Sequence, residues 1–300
     1  MVQQRIYDLI NDNVAVLYDR MFPLYILKGS KNFLIDTGSI TRARGFYDNI
    51  NKVLVEINAH VPGIQTLLLT HTHWDHVGSS SFLQKKYGFD VVCSHRGVDL
   101  LKKESVIRYI NRLNQDHKKL ENDASDTVFD GLENIEGVKD GDKIEIDETC
   151  YLEVLETPGH TKCSVSYYLQ PWKVLFCGDS TGVTEQTGVL RPLFLSSYTD
   201  YENSLKKLCG LDIEVLAFPH NRYINDKEKI REYMDLALWR LYEIRDKILL
   251  NLKAGKEVSE IAEILYLSEF TKPTVMGPRE ALMTNLEAMI KSVQKECMGE

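Results

Sequence analysis

The sequence predicts an α/β fold that ends in an all-helical tail. Two patterns carry that expectation. Over the first two-thirds of the 300 residues, short apolar runs alternate with loops and helical segments. From residue 225 onward only helical periodicity is present. Mixed strands and helices of this kind bury their apolar faces by stacking as layers.

In chain order, Tyr25-Ile26-Leu27 and Phe33-Leu34-Ile35 flank Gly29-Ser30-Lys31-Asn32, which is a hairpin signal. Further strands are expected at Leu67 to Leu69, Val91 to Cys93, Lys143 to Ile146, Leu152 to Leu155, Val174 to Phe176 and Val215 to Phe218. Helical patterns lie between them at Tyr47 to Ile57 and Ser79 to Lys86. Residues 95 to 121 read as one longer helix, with Val98, Leu101, Ile107, Ile110 and Leu113 near three- to four-residue spacing. An acidic loop follows, from Asn122 to Glu136. Such an insertion between strands can act as a lid or as an ordinary packing helix.

The tail has its own punctuation. Asn225 is a candidate helix cap, with Glu228 three residues on completing a capping-box pattern. Ile230, Met234, Ala237, Leu241, Ile244, Ile248 and Leu252 mark one helical face, and Gly255 stops it. A second helix is expected from about Val258 to Leu267, and a third opening at Gly277-Pro278, with proline at the first helical position. The expected division is therefore an α/β domain over 1–224, with its insertion at about 95–121, and a helical extension over 225–300. The extension must pack its apolar face on the α/β part or on a second subunit. Leu238, Trp239 and Leu249 are the candidates for a homodimer contact.

Composition narrows the function classes. A hydrophobic share of 43% and a charged share of 27% are those of a soluble globular chain. No apolar run approaches the roughly 20 residues that cross a bilayer. Met1 to Tyr18 mixes polar residues among apolar ones and lacks a secretory apolar core, so a cytoplasmic location and no membrane partner are expected. The net charge of −8 and the lack of a basic stripe favour a small-molecule substrate over nucleic acid. The six cysteines, at 93, 150, 163, 177, 209 and 297, include no Cys-x-x-Cys pair, which argues against a disulfide framework and a thiolate zinc site.

The decisive segment is His71-Thr72-His73-Trp74-Asp75-His76. Histidine supplies 8 of 300 residues, yet three fall within six positions. Imidazole and carboxylate together suit zinc, iron or manganese. In an extended loop His71 and His73 point to the same side, so one ion can take both. Asp75 and His76 follow the turn and can face a second ion. His160 closes Thr157-Pro158-Gly159-His160, Asp179 sits in Phe176-Cys177-Gly178-Asp179-Ser180, and His220 ends Leu216-Ala217-Phe218-Pro219-His220. Each follows a strand-like run, as the first cluster follows Leu67 to Leu69. Four strand ends delivering ligands to one sheet edge is what a single site on an α/β scaffold requires. His60, His95 and His117 are assigned to the surface or to packing, Cys177 to a packing layer, and Trp74 to a wall of the site.

At these residues the chain resembles the metallo-β-lactamase superfamily, over roughly residues 15 to 225. Asp36-Thr37-Gly38 also resembles the superfamily's early Asp-x-Gly turn, which lies below the site and is not a ligand. The resemblance implies a four-layer αβ/βα sandwich of two mixed sheets. It implies one ion on His71, His73 and His160, a second on Asp75, His76 and His220, and Asp179 bridging them. The antibiotic-hydrolysing enzymes often place cysteine where Asp179 stands, so β-lactamase activity is not expected. Flavin-linked di-iron oxidoreductases place glutamate where His73 stands. Phe218-Pro219-His220 departs from the Pro-Gly-His often found at the last ligand. Glu104-Ser105, Arg112-Leu113-Asn114, Arg191-Pro192-Leu193 and the tail are similar to the bacterial branch that contains the quinolone-signal response protein. That likeness implies thioesterase-like chemistry, with the inserted helix and the tail framing the substrate entrance.

Two divalent ions about 3.5–4 Å apart can share a water and lower its pKa from 15.7 towards ~7. The expected reaction is attack of that metal-bridging hydroxide on an acyl carbon of a thioester or ester, with Asp75 or Asp179 handling the proton. Zinc, iron and manganese stay open as the ions. Lactone or phosphodiester cleavage, iron-dependent sulfur dioxygenation, and a regulatory role that keeps the metal site are the alternatives.

Overall fold

Apolar runs such as Val14-Ala15-Val16-Leu17, buried at every position, suit strands covered on both faces. In the computed structural model, which describes residues 6–19, 21–184, 188–269 and 279–299, seven strands follow chain order in a first sheet. They are β1 (Tyr7–Asn11), β2 (Val14–Leu17), β3 (Leu24–Lys28), β4 (Asn32–Ile35), β5 (Thr66–Leu68), β6 (Asp90–Ser94) and β7 (Ile135–Val138). β1 to β4 pair antiparallel and β4 to β7 parallel.

The later strands are β8 (Lys143–Asp147), β9 (Cys150–Glu156), β10 (Val165–Gln170), β11 (Val174–Phe176), β12 (Val183–Thr184), β13 (Leu190–Arg191), β14 (Val215–Ala217) and β15 (Tyr223–Ile224). The second sheet is ordered β15-β14-β11-β10-β9-β8, and β12 pairs β13 in a separate ribbon. β11 and β14 run parallel and the other neighbours antiparallel, so both sheets are mixed.

Side-chain alternation sorts the strands into layers. Val14, Val16, Tyr25 and Leu27 from the first sheet meet Leu152, Val154, Tyr167 and Phe176 from the second in a shared inner core. Their neighbours Ala15, Leu17, Leu24 and Ile26 point the other way, to the outer face of the first sheet. α1 (Ala43–Glu56), α2 (Trp74–Val77), α3 (Ser80–Tyr87), α4 (His95–Leu101) and α5 (Glu104–Glu121) cover that face. α6 (Tyr198–Cys209), α7 (Lys227–Lys253), α8 (Val258–Glu269) and α9 (Arg279–Val293) cover the outer face of the second sheet through one continuous core. The result is the expected four-layer αβ/βα sandwich, with the helical tail forming part of the last layer.

Several local expectations shift. The helix expected over 95–121 is two helices, broken at Lys102-Lys103. The break falls in Lys102-Lys103-Glu104-Ser105, four polar residues between Leu101 and Val106 that carry no apolar stripe. α7 is capped by Asp226 rather than Asn225, since the Asp226 carboxylate accepts from the amides of Glu228 and Lys229. The start of the third tail helix at Gly277-Pro278 lies outside the described residues. Trp239 is 57% exposed on α7, whereas Leu238 and Leu249 pack partly against the tail core. No described helix is long and apolar enough to cross a membrane.

Candidate metal centre

Four strand ends converge at one edge of the sandwich. β5 runs into the extended His71-Thr72-His73 segment, and α2 then turns Asp75 and His76 inward. Below them, Asp36 holds a left-handed φ of 55°, unusual for a residue other than glycine. Its Oδ1 accepts from the Thr70 amide and its Oδ2 from the Thr70 hydroxyl, both at 2.8 Å. Oδ2 also lies 2.8 Å from His76 Nδ1.

The loop after β9 delivers His160. Gly159 adopts a φ of +127°, and a Cβ there would stand 2.3 Å from the backbone of Tyr201. Only glycine lets this loop lie against α6. His160 Nδ1 is fixed on the Leu193 carbonyl at 2.7 Å, which turns Nε2 toward the centre. Asp179 sits in a short 3-10 turn after β11. His220 follows β14 on a loop that Tyr25 ties down: the Tyr25 hydroxyl is 2.9 Å from the Phe218 carbonyl and 3.0 Å from its amide.

The structure brings all seven expected residues together. The ligand atoms of His71, His73 and His160 lie within 4.8 Å of one another, as do those of Asp75, His76 and His220, and those of His71, His76 and Asp179. Asp179 spans the groups: Oδ2 is 3.2 Å from His160 Nε2, and Oδ1 is 3.4 Å from His220 Nε2 and 3.6 Å from His76 Nε2. His220 Nε2 is 3.6 Å from Asp75 Oδ2.

Electrostatics of the side chains alone suit a cation. Burial holds His71 and His160 below the ordinary imidazole range and pushes His73 down to about 3. These rings are neutral and offer lone pairs. Burial also disfavours the charged form of His76, but Asp36, Asp179 and Asp75 outweigh it and lift the ring to about 10. Burial likewise opposes ionisation of Asp179, yet His220, His160 and His76 hold it well below the carboxylate range.

The decisive test of fit is hydrogen bonding. His71 Nε2, His76 Nε2 and Asp179 Oδ1 are sealed from solvent and have no hydrogen-bond partner. A buried polar atom left in that state costs roughly 1–3 kcal/mol. Three of them aimed at one point form a donor set that divalent cations would satisfy.

His60 and His95 are exposed, as expected. His117 takes the packing alternative: it is buried, and it also walls a cavity of about 620 Å³ that opens from His73, Asp75, His160, Asp179 and His220. α5 forms one side of this cavity and Ala281, Thr284, Asn285 and Ala288 of α9 another. The inserted helix thus packs and frames the entrance at once. Trp74 stands in the wall, as expected. Nothing local in the sequence marks His117 or Tyr25, because partners more than forty residues away define their roles.

The family model of the metallo-β-lactamase superfamily matches residues 24–220. The chain belongs to the metallo-β-lactamase superfamily. As a member it is a metal-dependent hydrolase, and divalent metals are the superfamily's cofactors. It is 27% identical to a β-lactamase-like protein 2 homolog of Caenorhabditis elegans, over 91% of this chain and 78% of that protein. It is 26% identical to a hydroxyacylglutathione hydrolase of Bartonella tribocorum, over 79% of each. A metallo-β-lactamase family protein from Thermus thermophilus superposes with a TM-score of 0.62 at 22% identity, covering 95% of this chain and 89% of that one, which shows the shared fold.

Proposed function

We propose that this superfamily member is a dinuclear hydrolase that cleaves a small-molecule thioester. The observation that carries it is the set of seven converging side chains with three sealed, unpartnered ligand atoms. His71, His73 and His160 would hold one divalent ion, Asp75, His76 and His220 the other, and Asp179 both. Bound there, zinc, iron or manganese would supply Lewis acidity and lower the pKa of a nearby water towards ~7.

The chain's own groups do the rest. Asp36 and the Leu193 carbonyl fix the ring orientations of His76 and His160. The Asp75 carboxylate faces the cavity and is placed to take the proton of the attacking water. Phe22, Trp74 and Leu193 exclude solvent from the acyl group. A thiolate leaves readily, since a thiol's pKa is ~8.5, so the leaving group needs little acid assistance. The likeness to hydroxyacylglutathione hydrolases, whose name describes an acyl group on a thiol, favours the thioester over an ester, lactone or phosphodiester. In this reading residues 1–224 carry the catalysis, and the 225–300 extension supplies the α9 wall.

The test is hydrolysis of a panel of aryl thioesters, esters, lactones and phosphodiesters by the zinc-, iron- and manganese-loaded protein. Fastest turnover on thioesters supports the reading, and fastest turnover on a phosphodiester would overturn it.

A further inference from the structure

His117 lies in the cavity wall outside the candidate ligand groups. It belongs to a stripe of α5, made by Tyr109, Leu113, Asp116, His117 and Leu120, that faces the cavity at three- and four-residue spacing. Phe22 and Trp74 hold its ring at centroid separations of 5.9 and 4.9 Å. Phe22 also packs edge-on to His220 at 5.8 Å. One aromatic ring therefore separates His117 from the candidate ligands.

A buried network engages one nitrogen of the ring. Ser39 is fully buried, and its hydroxyl lies 2.8 Å from His117 Nδ1. The same oxygen accepts the Thr41 amide at 3.4 Å and lies 3.3 Å from Thr41 Oγ1, which is itself 3.5 Å from Nδ1. Whichever way these hydroxyl hydrogens run, the network engages Nδ1. Across the ring, Nε2 has no hydrogen-bond partner among the described residues, and the ring is part of the cavity surface. With the ring hydrogen on Nε2, a donor held in this way reads an oxygen on a ligand and rejects a methylene in its place.

We propose that His117 is a specificity-determining residue whose Nε2–H donates a hydrogen bond to an oxygen acceptor on the substrate arm lying along Trp74 and α5. The identity of that substrate as a thioester rests on the proposed function; the donor site itself does not. The acceptor is a carbonyl, hydroxyl or carboxylate oxygen. Ser39 is the positioning residue that engages Nδ1 and turns Nε2 to the cavity.

The experiment compares thioesters bearing an oxygen on the acyl or the thiol arm with their methylene isosteres. The wild type is expected to prefer one oxygen-bearing compound by roughly tenfold in kcat/KM. His117→Leu lowers that compound to the level of its isostere, and His117→Gln, which keeps an N–H donor, restores part of the preference. A preference unchanged in His117→Leu on both arms overturns the proposal. A second measurement needs no folded variant. In zinc-loaded wild type with ¹⁵N-labelled histidine, the ring of His117 shows the Nε2–H tautomer. Its resonance moves on adding a non-hydrolysable thioether analogue that carries the preferred oxygen. An Nδ1–H tautomer, or a resonance that stays put, overturns the proposal. A shift without turnover of any thioester supports the His117 site and overturns the thioester reading, whereas turnover without the shift does the reverse.

Discussion

Asp36 Oδ2 lies 2.8 Å from His76 Nδ1, beneath a candidate ligand whose Nε2 faces the centre. With both Asp36 oxygens also bonded to Thr70, this carboxylate ties the β4–α1 connection to the His71–His76 segment. Partners of this kind orient a ligand and raise its basicity. Asp36→Asn replaces one acceptor oxygen with a donor, which cannot serve His76 and Thr70 together. Metal affinity should fall about 10- to 100-fold, read by competition with a chromogenic chelator. Unchanged affinity would show that Asp36 matters only to the fold.

The loop before His160 depends on Gly159. Its φ of +127° and the 2.3 Å approach of a Cβ to Tyr201 leave no room for any side chain. Gly159→Ala should cost on the order of 3 kcal/mol, from backbone strain and displacement of α6. Denaturant melts check this, and a loss below about 1 kcal/mol would mean that the loop relaxes freely.

The two ligand groups should separate on mutation. His220 belongs with Asp75 and His76, while His71, His73 and His160 form a group without it. His220→Ala is expected to keep about one ion per chain and to lose most of its turnover, by two orders of magnitude or more. Elemental analysis checks it, and two ions retained in the variant would remove His220 from the ligand set.

How the tail docks should depend on acid. Glu296 Oε2 accepts from the Thr199 amide at 2.8 Å and lies 3.2 Å from the Ser197 hydroxyl, at the start of α6. Burial opposes its charge, but the Thr199 amide and the Ser197 and Ser292 hydroxyls outweigh it and hold Glu296 below the ordinary glutamate range. A carboxyl with a depressed folded-state pKa stabilises the fold above its unfolded value of 4.5, and that contribution is lost as pH falls through the folded value. Glu296→Gln should therefore be less stable than the wild type at pH 7, by roughly 0.5 kcal/mol because solvent screens the site. The gap should close as the pH falls below 4.5. Denaturant titrations across that range check it, and a gap independent of pH would rule out the charge as the cause.

The sequence was most legible where chemistry is dense. Three histidines and an aspartate in six positions, and His160, Asp179 and His220 after apolar strands, pointed to seven residues whose ligand atoms lie close together among the described residues. Strands with continuous apolar runs, such as Val174–Phe176, were equally plain. What stayed hidden depends on distant partners. β10 carries Ser166 and Gln170 among its apolar residues and is the middle of the second sheet only because β9 and β11 pair with it. α6 mixes charged residues with a narrow buried face, so its pattern is weak. His117 has a charged helical neighbourhood that leaves surface and packing both open, and only the fold brings Ser39, Phe22 and Trp74 around it.

The central claim is a two-ion centre that hydrolyses an acyl bond. It is tested most directly by metal content per chain, measured together with turnover of a generic aryl thioester before and after chelation. The proposed centre predicts about two divalent ions per chain and turnover that chelation abolishes and metal restores. Fewer than two ions at saturation, or two ions with no turnover, would contradict it.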